Sequence, residues 1–359
     1  MSLEFADRIR RIPVYPAADG YALGGDVALL ASNESPFPPL PGVVEAARQA
    51  IAGAQRYPDP GNVVLRGALS DRYGVPASHI AIGNGSCDLL LAAGDALLEP
   101  GAELVYSWPS FSVYPQLAAM SGATEITVAL DSNDRHDLDA MLKEITVATR
   151  LVIVCNPNNP TSTACGLGEI AAFVEAVPSS VAVVLDEAYC EYSTLDDPDA
   201  SIALLQRHPN LMLLRTFSKV YGLAGLRVGF GLCGSEDFRI AVDQVRQPFF
   251  ANVAAQAAAV EALRHQDEVT RRVELTIAAR LALVEGLDEL GLTTADSEAN
   301  FVWVMLGEGA DEAAIVSGLR ERDMLVRAGT ALGRERYLRI TCGTPEDNAR
   351  LLAGLRELI

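Results

Sequence analysis

Between residues 80 and 234 the chain repeats one pattern: a short continuous run of β-branched and aliphatic residues, a turn, then a stretch with helical spacing. Runs at 80–82, 103–106, 124–128, 151–155, 181–185, 211–214 and 228–232 read as strands. Helical stretches at 87–98, 113–120, 138–145 and 167–177 separate the first of them. Strands that are apolar throughout need cover on both faces, and parallel neighbours need a crossover long enough to hold a helix. The pattern therefore predicts an α/β fold: a large domain with a mostly parallel seven-stranded sheet sandwiched by helices.

The rest of the chain reads differently. Pro13, Pro16, Pro36, Pro38, Pro39 and Pro41 break any long element near the start, and helices are expected at 43–52 and 62–73. After Gly234 the spacing is helical at 236–245, 254–265 and 267–290. Strands at 300–306 and 337–341 with helices at 312–322 and 345–358 then predict a small α+β domain. The expected division is 1–44 as an N-terminal arm and part of the small domain, 45–255 as the large domain, 256–284 as connecting helices and 285–359 as the small C-terminal domain.

Composition narrows the partners. With 47 acidic and 28 basic residues the formal charge is −19, which argues against nucleic acid or an anionic membrane, since both select basic surfaces. The six cysteines form no C-x-x-C pair, so neither a zinc site nor a redox pair is expected, and no metal. Residues 1–11 carry several charges and no apolar stretch, so a signal peptide is not expected. No apolar run reaches the ~20 residues of a spanning helix, and the expected location is cytoplasmic. Only two of the 28 basic residues are lysines, Lys143 and Lys219. Chemistry that needs an amine has two candidates.

Ligands of open α/β sheets bind at the carboxyl ends of the strands. The polar residues just past the strands are Asn84-Gly85-Ser86, Asn156 to Thr161, Asp186-Glu187-Ala188-Tyr189 and Thr216-Phe217-Ser218-Lys219. Asp186 alone could be a metal ligand, a phosphate-site acid, the partner of a cationic ring or a plain helix cap. Lys219, past a buried strand, would be partly desolvated, which lowers an amine's pKa and makes it nucleophilic toward a carbonyl. The alternative is an ordinary surface lysine, which the scarcity of lysine disfavours. Arg227, with the hydroxyls of Thr216 and Ser218, could hold a phosphate dianion. Gly83-Asn84-Gly85-Ser86 opens a helix, whose free N–H groups also bind anions. One glycine-rich turn says little, whereas two anion cradles beside a lysine and a strand-end carboxylate say more.

These segments, with Ala31-Ser32-Asn33-Glu34-Ser35-Pro36, Arg56-Tyr57-Pro58-Asp59, Asn156-Pro157-Asn158-Asn159-Pro160-Thr161, Leu223-Ala224-Gly225-Leu226-Arg227 and Tyr337-Leu338-Arg339-Ile340-Thr341, resemble the fold-type I pyridoxal-phosphate aminotransferases. The histidinol-phosphate aminotransferase branch is the most similar, and the segments run in family order over nearly the whole chain. The strings around Asn156–Thr163, Arg215–Tyr221 and 299–303 are most similar to the aromatic (phenylalanine) aminotransferases of actinobacteria.

The resemblance implies roles. Lys219 would form the internal aldimine with pyridoxal 5′-phosphate and then carry the proton at the substrate Cα. Asp186 would pair with the ring nitrogen, and Asn159 and Tyr189 with the ring oxygen. Phe111 would stack on the ring, although core packing is its other reading. Gly85, Ser86, Thr216, Ser218 and Arg227 would hold the phosphate, next to Cys87. Tyr57 would reach a phosphate across a homodimer interface, so that the two copies share active sites. Arg339 would bind the substrate carboxylate. Arg327 matches a second substrate arginine, and Tyr15 a tyrosine of a mobile arm lining the pocket.

Two positions depart from the family pattern. Ser162 stands where N-P-T-G has glycine, and Cys87 stands where an acidic residue is usual. The implied reaction moves an amino group between an aromatic amino acid and 2-oxoglutarate. Histidinol phosphate is the alternative substrate, and a decarboxylase of the same fold a more distant one. A nicotinamide dehydrogenase is disfavoured because Gly83-Asn84-Gly85-Ser86-Cys87-Asp88 lacks the third glycine of its fingerprint.

Overall fold

A computed structural model describes residues 3–5, 9, 10, 12 and 26–359. After a two-residue strand, β1 (Ala28–Leu29), helices α1 (Pro41–Ile51) and α2 (Val63–Tyr73) lead into the alternating region. There the order is β2 (Ile80–Gly83), α3 (Ser86–Leu97), β3 (Glu103–Trp108), α4 (Tyr114–Ser121), β4 (Thr124–Ala129), α5 (Leu138–Lys143), β5 (Thr149–Cys155), α6 (Leu167–Ala176), β6 (Ala182–Asp186), β7 (Leu211–Thr216) and β8 (Gly229–Cys233). All seven expected strands are present and lie in one sheet of order β2-β8-β7-β6-β5-β3-β4.

The apolar runs follow from burial on both faces. Along β5, Leu151 and Ile153 pack on α3 and α4 with Leu89, Leu90 and Leu117. The alternate residues Val152 and Val154 face the other way, onto Leu65 and Leu69 of α2 and Ile170 and Phe173 of α6. A strand so enclosed has no polar face to show, which explains its continuous apolar character.

Only β8 runs against the others, antiparallel to both β7 and β2. Antiparallel neighbours need no helical crossover. The link from β7 to β8 is accordingly short, with one 3-10 turn at Ala224–Leu226, and it carries both Lys219 and Arg227.

Three helices follow: α7 (Glu236–Gln244), α8 (Val253–Ala262) and the 24-residue α9 (Gln266–Glu289). The inward face of α9 is not uniformly apolar. Its buried Arg272 donates to the carbonyl of Pro38 at 2.8 Å, and its buried Arg280 to those of Tyr192 and Ala299 at 3.0 and 2.9 Å. Helical spacing shows that such a face exists but not that arginines use it to satisfy loop carbonyls.

The C-terminal part contains β9 (Thr293–Thr294), β10 (Phe301–Met305), α10 (Glu312–Arg320), β11 (Met324–Leu325), β12 (Arg327–Ala328), β13 (Tyr337–Thr341) and α11 (Pro345–Leu358). Four strands form an antiparallel sheet of order β12-β13-β10-β9, while β11 pairs in parallel with β1. Val302, Val304, Leu338 and Ile340 pack on Leu283 and Leu287 of α9 and on Leu351 and Leu355 of α11; Ala28 and Leu30 join the same cluster. Strands β1, β9, β11 and β12 are two residues each, too short to leave a periodic trace in the sequence. No described helix is long and apolar enough to cross a membrane.

Candidate active site

The expected convergence at the carboxyl ends occurs. Asp186 ends β6, Thr216 ends β7, and the Asn156–Thr161 segment leaves β5, the three strands being adjacent in the sheet. Across from them stand β12 and β13 of the small sheet. Between the two walls lies a cavity of about 500 Å³.

At the floor, Asp186 is 3% exposed. Its carboxylate accepts from the Tyr114 hydroxyl at 2.8 Å and the Ala188 N–H at 3.3 Å. Burial pushes its pKa up to about 6, against the pull of the Tyr114 and Ala188 hydrogen bonds. A buried carboxylate that is held by neutral donors favours the arrival of a cation.

Lys219 enters from the β7–β8 link. Its amine donates to the Ser32 carbonyl at 3.1 Å and lies 5.5 Å from the centre of the Tyr189 ring. Burial, then the nearby Arg339 guanidinium, pushes it down to about 8. A substantial neutral fraction near neutrality is what a nucleophilic amine requires.

Thr216, Ser218, Ser86, Cys87 and Arg227 surround the end of the cavity nearest α3. The Thr216 hydroxyl donates to Ser218 Oγ at 2.9 Å, and the Ser218 N–H donates to Thr216 Oγ1 at 3.1 Å. Arg227 adopts a left-handed φ of 58° and turns its guanidinium over Gly85. A Cβ at Gly85, whose φ is 85°, would collide with that guanidinium. The cradle is thus closed by a residue that has no side chain. Burial and the Asp186 charge raise the Cys87 thiol.

Asn159 and Tyr189 form the side of the cavity. The Asn33 amide donates to Tyr189 Oη at 3.1 Å, and the Asn159 amide lies 3.5 Å from the same oxygen. From β13, Arg339 donates to Asn159 Oδ1 and to the Ala31 carbonyl, both at 2.6 Å. Arg327 is its direct cross-strand partner on β12, which sets both guanidinium groups on one face of the sheet. Phe111 lines the cavity and meets the Tyr114 ring edge-on at 5.7 Å.

Twelve of the fifteen residues singled out in the sequence line the cavity, and Gly85 stands directly behind Arg227. Tyr57 does not join them. It is 81% exposed in the α1–α2 loop and stacks on Phe249 at 4.6 Å. Tyr15 lies outside the described residues. Tyr114 and Asn33 were not assigned roles. Tyr114 opens α4 three residues after Phe111, whose carbonyl accepts from its N–H at 3.0 Å, and Asn33 has a left-handed φ of 55° within the Ala31–Pro36 segment. Ser162 adopts φ 61°, the left-handed geometry that glycine tolerates best, and its hydroxyl donates to the Thr161 carbonyl at 2.6 Å.

A doubly wound sheet whose strand ends bring a buried amine and a buried carboxylate beside an anion cradle defines a class of lysine-dependent cofactor enzyme. Residues 25–355 match the family described as aminotransferase class I and II, and the chain belongs to that family. An aromatic amino acid aminotransferase of Streptomyces avermitilis is 43% identical over 340 residues, covering 94% of this chain and 92% of the relative. A histidinol-phosphate aminotransferase of Cupriavidus pinatubonensis is 42% identical over 334 residues, covering 93% and 88%. The crystal structure of histidinol-phosphate aminotransferase from Sinorhizobium meliloti, in complex with pyridoxal 5′-phosphate, aligns with a TM-score of 0.90 at 31% identity over 100% of this chain and 98% of that one. The protein is a pyridoxal-phosphate-dependent aminotransferase. Its residues fit that cofactor: the buried Asp186 carboxylate, held by neutral donors, suits a protonated ring nitrogen, and Gly85, lacking a Cβ, lets the Arg227 guanidinium lie over the helix-opening turn where a phosphate would be held.

Proposed function

We propose that this enzyme transfers the amino group of an aromatic, phenylalanine-like amino acid to 2-oxoglutarate. The observation that carries the reaction is the placement of Lys219 and Asp186 on one wall of a single cavity with Arg339 on the other. Asp186 holds the ring nitrogen in its protonated form, and Asn159 and Tyr189 hold the ring oxygen. Gly85, Ser86, Thr216, Ser218 and Arg227 hold the phosphate, with Cys87 beside them, and Phe111 covers the ring. Bound pyridoxal phosphate supplies an electron sink for the pair released at the substrate Cα. Lys219 takes the proton from that carbon and returns it. Arg339 orients the substrate carboxylate through a planar fork.

The aromatic preference rests on the relatives of that name and on Phe111 and Leu332 in the cavity lining. The Arg327–Arg339 pair supports the second reading, histidinol phosphate, because two adjacent guanidinium groups suit a phosphate dianion. A paired turnover assay with 2-oxoglutarate separates them. Higher kcat/KM with phenylalanine supports the first reading, and higher kcat/KM with histidinol phosphate replaces it with the second.

The proposal includes a cytoplasmic homodimer. Tyr57, exposed with Val63 and Val64 nearby in sequence, belongs to the surface that a second copy would cover. Sedimentation at twice the monomer mass is expected, and Tyr57→Ala should weaken retention of the cofactor.

A further inference from the structure

One segment bridges the two walls and contributes only Leu332 to the cavity lining. Residues 329–336 connect β12 to β13, so they lie between Arg327 and Arg339 in the chain. The base of the segment is fixed to the small sheet. The Gly329 N–H donates to the Tyr337 carbonyl at 2.7 Å, and the Glu312 carboxylate on α10 accepts from the N–H groups of Thr330 and Arg336 at 3.0 and 2.6 Å. Its middle faces the cavity through the buried side chain of Leu332.

Its tip is fixed to the opposite wall. Gly333, with φ 96°, presses on the Trp108 indole at the end of β3, where a Cβ would not fit. The next residue, Arg334, forms an ion pair with Asp134, which lies between β4 and β5. The Arg334 guanidinium also lies 5.2 Å from the centre of the Tyr337 ring. Asp134 is itself held: its carbonyl accepts from the Thr163 hydroxyl at 2.6 Å. Thr163 Oγ1 lies 2.8 Å from Thr161 Oγ1, which accepts from the Asn158 amide at 2.8 Å. The ion pair therefore ties the 329–336 segment to the loop that carries Asn159, and Asn159 is the residue that receives Arg339.

We propose that the Arg334–Asp134 ion pair is a latch that holds the 329–336 segment across the substrate cavity and so positions Leu332, Arg327 and Arg339 for the substrate. Both latch residues act through others and touch no reacting atom. The inference rests on the proposed function only for the choice of substrate.

The test uses the holoenzyme and the variants Asp134→Asn, Arg334→Gln and their double. Asparagine suits the left-handed backbone of Asp134, whose φ is 59°, so that change removes charge without new strain. Amide hydrogen exchange across 329–336, read without substrate, should quicken about tenfold in each single variant while α3 and β5–β7 stay protected. KM for phenylalanine should rise about five- to tenfold with kcat nearly unchanged, and the double variant should be no worse than either single, as for one shared interaction. Unchanged exchange at 329–336, unchanged KM, or additive losses in the double variant would each overturn the latch. A wild-type enzyme that ignores phenylalanine, with the exchange effect still present in the variants, would overturn the substrate reading and leave the latch standing, with KM then read on histidinol phosphate.

Discussion

The two walls of the cavity are built by different means. The large-sheet wall places Asp186, Thr216 and Lys219 at or just past the ends of buried parallel strands. Each strand is gripped on both faces, so its end is fixed by the core of the domain. The small-sheet wall places Arg327 and Arg339 on two short antiparallel strands, and contacts to Asn159 and Asp134 join it to the first wall across the cavity. The first wall is preorganised by its own core. The second has a smaller core of its own on α9 and α11, and only its placement against the first depends on the polar contacts between them. A rigid wall suits chemistry at a bound cofactor, and a second wall joined to it by a few polar contacts suits substrates that must enter and leave.

The sharpest way to break this contrast is to treat one residue from each wall alike. Lys219→Ala should reduce kcat by about 10,000-fold and remove the visible absorbance of the attached cofactor, since an amine in this position takes and returns a proton. Lys143→Ala on α5 should change neither. Because the Lys219 amine lies at about 8, capture of cofactor by the cofactor-free protein should accelerate as pH rises through that value and the amine loses its proton. If Lys219→Ala only raised KM, the two walls would not differ in kind.

Asp186→Asn comes next, with kcat down by about 1,000-fold. It also carries a stability signature. The folded pKa of Asp186 is raised from 3.8 to about 6, so the folded state resists ionising it. The resulting penalty is absent below the unfolded value and fully present above about 6. Removing the charge should stabilise the cofactor-free protein by about 2–3 kcal/mol at pH 7 and by little at pH 4. Denaturant unfolding at the two pH values reads the difference, and equal effects at both would refute the buried-charge argument.

On the other wall, Arg339→Ala should act mainly on binding. KM for amino acid and 2-oxo acid should rise about 30- to 100-fold, with a smaller fall in kcat, from loss of a charge-assisted fork. Initial-rate saturation curves check this, and an unchanged KM would remove Arg339 from the carboxylate site. The smallest effect is expected at Ser162. Ser162→Gly relieves a left-handed serine but frees the unfolded chain, so stability should shift by less than about 1 kcal/mol, measured by urea unfolding.

The same contrast explains what could be read in advance. Most residues assigned to the large-sheet wall sit beside a strand whose apolar run is continuous, with a turn marked by Gly, Asn, Asp or Pro past β2, β5 and β6. Burial on two faces leaves such runs no freedom of composition, so they mark their own ends. Arg339 and Arg327 are named only through the family resemblance, although β13, five residues long, is legible as a strand. Its partner strand β12 has two, and neither its pairing nor the segment that follows it has a local signature. Tyr57 shows the opposite limit. The single chain leaves it in solvent, and its assigned role requires a second copy.

By itself, the sequence determined the sheet and its mostly parallel character, the one amine fit for the chemistry, and the order of the strand-end groups. Burial periodicity and turn chemistry act over a few residues, and the chain records them locally. Tertiary structure alone decided that Tyr114 supports Asp186, that Asn33 reaches Tyr189 across 156 residues, and that Arg334 finds Asp134 across 200. Those partners are chosen by where helices and loops come to rest against each other, and a hydrogen bond between distant residues depends on the packing of everything between them.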